Sequence, residues 1–299
     1  MKVMKFGGTS VGSPERMKEV VNLILKDKKE VFVVLSAMSG TTNTLIEIAD
    51  YLYKKNHEGA NEIINRLEQK YISYIDELYS TNEYKEKIYN FFQKEFNYLR
   101  SFTNDIFTSF EEKSIVARGE ILSTNMVVNY LLENGIKAKL INALDFMRTD
   151  KNSEPDAVYI KEKLSAIMAS NNDYQVYITQ GFICKNAYGE VDNLQRGGSD
   201  YTASLVGAAI NAEEIQIWTD IDGMHNNDPR IVENTEAVRQ LNFEEASELA
   251  YFGAKILHPT CVQPAKYAGI PVRLKNTMEP ETDGTIINNI MERGKIKAI

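Results

Sequence analysis

The stretch "KFGGTSVG" (residues 5–12) sets a lysine ahead of glycines at 7, 8 and 12, with hydroxyls at Thr9 and Ser10 between them. An apolar run precedes it and a helical pattern opened by Ser13-Pro14 follows. Strand, glycine turn and helix together form a phosphate-holding arrangement, because glycines let backbone N–H groups approach an anion and the helix N-terminus adds positive potential. The stretch fits neither common loop. The dinucleotide fingerprint G-x-G-x-x-G is missing, and the Walker spacing of Gly7 to Gly12 is followed by Ser13-Pro14 where Lys-Ser/Thr is required. Here the cation comes first, as Lys5 at the strand end, placed to point over the loop. Taken by itself, "GGTSVG" also reads as a plain tight turn.

Further stretches repeat the theme. "SAMSGTTN" (36–43) offers Ser36, Ser39, Thr41 and Thr42 after a second apolar run, at the edge where open α/β sheets bind ligands; a turn capping the next helix is the alternative. "LQRGGSDYTASL" (194–205) joins Arg196, suited to gripping a carboxylate, to Gly197-Gly198, with Ser199 or Asp200 expected to cap the helix that follows. "IWTDIDGMHNNDPRIV" (217–232) carries Thr219, Asp220, His225 and Arg230, and "YFGAKILHPTCVQPA" (251–265) carries Lys255 and Ile256. Lys5, Arg196, Arg230 and Lys255 thus place four cations in glycine-bearing loops, a pattern that suits phosphoryl transfer.

The elements that must position these loops are short β-branched and aromatic runs at 2–6, 30–36, 137–143, 174–183, 214–220 and 270–275. Helical patterns lie between most of them, at 14–27, 120–134, 156–170, 200–211, 243–252 and 255–268. Several runs are continuously apolar, as strands buried on both faces are, so a parallel sheet covered on both sides is expected. Residues 44 to 116 break the rhythm: Ile64, Leu67, Tyr71, Tyr74, Ile75 and Leu78 form a helical stripe, and a helical insert covering the sheet is expected there. The tail "MERGKIKAI" (291–299) begins like a strand without a partner.

Net charge −8 makes the 299-residue chain a poor general binder of nucleic acid or anionic membrane. Its apolar runs fall short of the roughly 20 residues a membrane span needs. Cys184 and Cys261 follow no CxxC pattern and read as buried reduced thiols, and three scattered histidines make no metal site. A cytoplasmic protein is expected.

The segments "KFGGTSVG", "SAMSGTTN", "RGEILST", "TQGFI", "LQRGGSDYTAS", "WTDIDG", "DPR" and "FGAKILHP" stand in the order found in aspartate kinases, of the amino-acid kinase superfamily, and from Lys2 to about Asn288 the chain resembles that family. The likeness is weakest in the helical insert. It implies an α/β/α sandwich with a mainly parallel sheet of about eight strands, a nucleotide-binding half at about 190–290, and ATP-dependent phosphorylation of aspartate to 4-phospho-L-aspartate on the way to lysine, threonine and methionine. ATP with Mg²⁺ and L-aspartate are the implied small molecules, no metal ligand is assigned to a protein side chain, and a homodimer is among the assemblies allowed. On that resemblance the chain is expected to correspond to the catalytic domain, without the ACT regulatory domains that relatives carry.

On the same resemblance, Lys5 meets the transferring phosphoryl group above Gly7 and Gly8, Asp200 orients that lysine, and Arg230 and Lys255 hold phosphates. Ser36, Thr42, Glu120, Arg196, Gly197 and Ser199 bind aspartate, Glu120 facing its amino group and Arg196 its α-carboxylate. Ser10, Thr219, Asp220, His225 and Ile256 complete the nucleotide side. Asp222 and His225 depart from the Pro and Tyr common in relatives, and Gln195 from Gly. Another small acid as acceptor on the same fold, and a nucleotide-binding module without turnover, are the rival readings; the missing fingerprint argues against a dehydrogenase.

Overall fold

In a computed structural model, the described residues are all but 104–105, 171–172, 195–196, 228–231, 233, 253–256 and 292–299. In chain order they form β1 (Lys2–Phe6), α1 (Pro14–Leu25), β2 (Val31–Leu35), α2 (Thr41–Tyr53), α3 (His57–Leu78), α4 (Asn82–Ser101), α5 (Ser109–Val116) and α6 (Arg118–Glu133). Then come β3 (Ala138–Leu140), α7 (Ala143–Phe146), α8 (Ala157–Ala169), β4 (Val176–Gln180), β5 (Ile183–Lys185), β6 (Val191–Asn193) and α9 (Gly198–Ile210). The chain continues through β7 (Ile215–Thr219), β8 (Gln240–Asn242), α10 (Phe243–Phe252), a 3-10 turn (Pro259–Val262), α11 (Gln263–Ala268), β9 (Val272–Asn276) and β10 (Thr285–Asn288).

One eight-stranded sheet runs β3-β4-β2-β1-β7-β9-β10-β8, parallel from β3 to β9 and with β10 antiparallel to β9. Side chains alternate between its faces. Met4, Phe6, Val33, Leu35 and Trp218 join the core under α1 to α4 and α6. Val3, Phe32, Val34, Ile215 and Leu274 join the core under α8 to α11. The result is the three-layer sandwich expected. The helices α2 to α5 occupy the stretch from 41 to 116 where helical stripes were read, and Tyr71, Phe92 and Phe96 bury their rings together there.

Two expected strands are cut short. The run 174–183 breaks after Gln180, because Phe182 takes φ +69°, its carbonyl accepting from the Leu194 N–H and its own N–H donating to the Thr202 hydroxyl; the chain then resumes as the β5–β6 hairpin. The run 137–143 keeps only Ala138–Leu140, since the Asn142 side chain accepts from the Leu144 N–H and starts α7. The helix expected over 255–268 is, where described, a 3-10 turn followed by α11, and the tail 292–299 lies outside the described residues.

β1 has β2 on one side and β7 on the other, while the chain leaves β1 toward β2. Such a reversal opens a crevice at the carboxyl ends of the strands. The loops 7–13, 36–40, 181–182 and 219–223 all leave the sheet at that edge.

Candidate active site

Lys5 lies on the α9 face of β1, opposite Met4 and Phe6. Its amine forms an ion pair of 2.6 Å with Asp200 in the first turn of α9, and both side chains are largely buried. The same amine stands 3.6 Å from where a Cβ on Gly7 would sit, so it overlies the start of the glycine loop. The Gly7 N–H is spent on the Trp218 carbonyl (3.2 Å), which ties loop to sheet. The Gly8 and Thr9 N–H groups have no partner among the described residues and stay available to an acceptor.

The second loop packs directly on the first. Ser39 N–H donates to the Gly8 carbonyl at 3.1 Å, and a Cβ on Gly8 would meet the Ala37 carbonyl oxygen at 2.8 Å. Only glycine allows that approach. Between the loops and α9 opens a cavity of about 360 Å³, lined by Gly8, Ser36, Thr42, Glu120, Phe182 and Ser199 among others. Two helices begin on it. Both have glycine N-caps in the left-handed region, Gly40 for α2 (φ +81°) and Gly197 for α9 (φ +72°), and neither N-cap side chain covers the free amides. Two bare helix N-termini make an anion-favouring wall. The expectation that Ser199 or Asp200 caps α9 is corrected: Gly197 holds the cap position and the Asp200 carboxylate turns to Lys5.

Glu120, in the first turn of α6, is the ionisable side chain of this cavity among the described residues. It is 3% exposed; Oε1 accepts the Ala37 N–H at 3.2 Å, while Oε2 has no partner. Burial pushes its carboxyl from the ordinary 4.5 up to about 8, partly offset by backbone N–H donors. No cation of the described residues pairs with it. Behind it, Thr41 at the start of α2 shares a 3.0 Å hydrogen bond with the fully buried Tyr71 of α3, so the helical insert supports the cavity floor.

The residues expected on the nucleotide side gather less completely. Thr219 and Asp220 stand at the end of β7, where the Thr219 hydroxyl donates to Asp220 at 3.0 Å and Asp220 is exposed. His225 is held between Thr235 (2.8 Å) and Asp222 (2.6 Å). Ser10 is 1% exposed and its hydroxyl pairs with Thr277 at 2.7 Å, so its side chain has a structural partner instead of an open face. Arg196, Arg230, Lys255 and Ile256 lie outside the described residues. Phe182, on the cavity wall with a positive φ, was not singled out from the sequence, where nothing marks a phenylalanine for the left-handed region. Both cysteines are buried and neither is in a disulfide. No described helix is long and apolar enough to cross a membrane.

The family model for the Amino acid kinase family matches residues 1–276. Aspartokinase 1, chloroplastic, of Arabidopsis thaliana is 37% identical over 98% of this chain and 53% of its own length. Lysine-sensitive aspartokinase 3 of Escherichia coli is 32% identical over 97% of this chain and 64% of its own. The solved structure of E. coli aspartokinase III in complex with aspartate and ADP superposes with TM-score 0.89 at 31% identity, covering 100% of this chain and 67% of that one. The chain therefore spans about half to two thirds of the length of the relatives it matches.

Proposed function

Because the chain belongs to the amino acid kinase family, in its aspartokinase branch, we propose that it transfers the terminal phosphoryl group of ATP to the side-chain carboxylate of L-aspartate, forming 4-phospho-L-aspartate. The observation that carries the reading is the cavity that joins the glycine loop to Glu120 and to the bare N-termini of α2 and α9, with the Lys5–Asp200 pair beside it.

The acceptor carboxylate is already ionised at neutral pH, since a free aspartate side chain has a pKa near 3.9. No strong base is required, and the absence of a base from the proposed reaction leaves charge as the obstacle: an anion must meet a polyanion. Lys5 neutralises the phosphoryl oxygens as their charge spreads, and Asp200 keeps the amine in place. The free N–H groups of Gly8 and Thr9 add donors at the same edge. Glu120 takes the substrate ammonium, which supplies the cation its buried carboxylate lacks, and the helix N-termini receive a carboxylate. Arg196 is assigned the α-carboxylate, and Arg230 and Lys255 the phosphates. Ser36, Thr42, Gly197 and Ser199 complete the acceptor side, and Gly7, Thr219, Asp220, His225 and Ile256 the nucleotide side. Magnesium enters with ATP as its complex. The whole chain is read as one catalytic domain with a helical insert; a homodimer and a cytoplasmic location belong to the same proposal, the former tested by light scattering.

Hydroxylamine trapping tests the reaction. With ATP, Mg²⁺ and aspartate, aspartyl hydroxamate should accumulate with time. ADP release without hydroxamate, or hydroxamate from glutamate or succinate in preference to aspartate, would overturn the assignment.

A further inference from the structure

A second cavity, of about 430 Å³, lies on the opposite face of the sheet from Lys5, between α1 and strands β1, β7 and β9. Strand alternation builds it. Lys2, Met4, Gln216, Trp218 and Lys275 occupy alternate positions on their strands, and the register sets Trp218 beside Lys275. Met4 and Trp218, with Leu23 and Ile24 of α1, give it an apolar and aromatic floor.

The rim is basic although the chain is acidic. Four lysines (Lys2, Lys26, Lys29 and Lys275) stand against Asp27, Glu30 and Glu213. Asp27 is already paired with Lys2 at 2.8 Å, Glu213 with the terminal ammonium at 2.7 Å, and Lys26 with Glu281 at 2.6 Å. Lys29 and Lys275 make no ion pair among the described residues. Lys275 is half-buried, its amine 5.2 Å from the Trp218 ring centroid. Burial, with the charges of Arg273 and Lys26 nearby, holds that amine below the usual lysine range. An anion beside it would relieve both costs.

We propose that this cavity is a second ligand site, distinct from the candidate active site, for a small amphipathic anion: an apolar or aromatic body against Met4, Ile24 and Trp218, and a phosphate or carboxylate on Lys275 and Lys29. Its volume suits such a ligand, since small-molecule sites commonly run from roughly 300 to 1,000 Å³.

Trp218 is the chain's single tryptophan, so its emission reports on the cavity directly. The probe is phenyl phosphate, titrated into the full chain, with inorganic phosphate and phenol as controls lacking the body or the charge. The expected result is a saturable change in emission with phenyl phosphate, at least tenfold weaker with either control. Lys275→Met and the surface variant Lys29→Glu should each weaken it at least tenfold, with thermal unfolding of Lys29→Glu unchanged. No saturable change, or affinity equal in Lys29→Glu and the parent, would place any binding elsewhere and overturn the proposal. Neither variant touches the residues assigned to phosphoryl transfer, so hydroxamate formation reads the proposed activity separately.

Discussion

The Lys5 amine meets the Asp200 carboxylate at 2.6 Å, joining the end of β1 to the first turn of α9 beside the glycine loop. Both side chains are largely buried. An unpaired charge in such a place is costly, so removing one partner alone costs about 3–5 kcal/mol when a pair is fully buried, and somewhat less here. Lys5→Ala should therefore lower kcat at least about a hundredfold, as expected for loss of a charge that acts in the transition state, and should also lower thermal stability. Asp200→Asn in the Lys5→Ala background should restore much of the stability and none of the activity. A double variant as inactive and as unstable as Lys5→Ala alone would mean the two residues are not coupled.

Gly8→Ala tests the contact between the first two loops. The added Cβ would come within 2.8 Å of the Ala37 carbonyl oxygen, a backbone atom that cannot step aside without moving the loop. Ser39 N–H would be carried off the Gly8 carbonyl with it. Activity should fall more than tenfold, with KM rising for both substrates, because the displaced loops face both. Gly40→Ala makes the contrast: its Cβ meets nothing within 4 Å but its φ of +81° disfavours a side chain, so it should cost about 1 kcal/mol of stability with smaller kinetic effects. Equal kinetics for the two variants would remove the steric argument.

Tyr71→Phe tests whether the helical insert supports the acceptor cavity. Among the described residues its hydroxyl is shared only with Thr41, at 3.0 Å, and the variant leaves the fully buried Thr41 hydroxyl without that partner. The expected cost is about 1–2 kcal/mol. Thr41 begins α2, whose amides line the cavity, so KM for aspartate should rise several-fold with kcat and KM for ATP nearly unchanged. A change in kcat alone would place Tyr71's influence elsewhere.

Much of this architecture was legible because it rests on local rules. Ser13-Pro14 starts α1 with the Ser13 side chain accepting from Arg16 N–H, as its spelling indicates. Continuous apolar runs became the central strands β1, β2, β4 and β7. The clustering of Gly8, Ser36, Thr42, Glu120 and Ser199 follows from placing loops at one sheet edge. What stayed hidden depends on long-range partners. Ser10 reads as a phosphate-side hydroxyl until Thr277, far along the chain, takes it. Asp200 reads as a helix cap from its local spelling alone, and only the family resemblance puts it with Lys5, from which the fold sets it 2.6 Å away. Short strands β8 and β10, of three and four residues, carry too few side chains to show a period. The basic cavity is invisible in sequence because its lysines come from β1, the end of α1 and β9.

Glu120 makes the stability of the free protein depend on pH. Its carboxyl is raised from 4.5 to about 8 by burial, so the folded state holds a proton that the unfolded chain releases between those values. Stability therefore falls as pH rises through that window, by up to about 1.4 kcal/mol per pH unit, and levels off above pH 8. Glu120→Gln, which keeps the shape and has no proton to lose, should flatten this part of the profile and be more stable than the parent at pH 8. The same group should mark substrate binding. At pH 7 the free protein holds Glu120 mostly protonated, and an arriving ammonium favours the carboxylate, so aspartate should release close to one proton per site. Calorimetry in two buffers of different ionisation enthalpy reads that proton. Glu120→Gln should bind aspartate more than tenfold more weakly and release none. Proton release that persists in the variant would assign it to another group and take the ammonium away from Glu120.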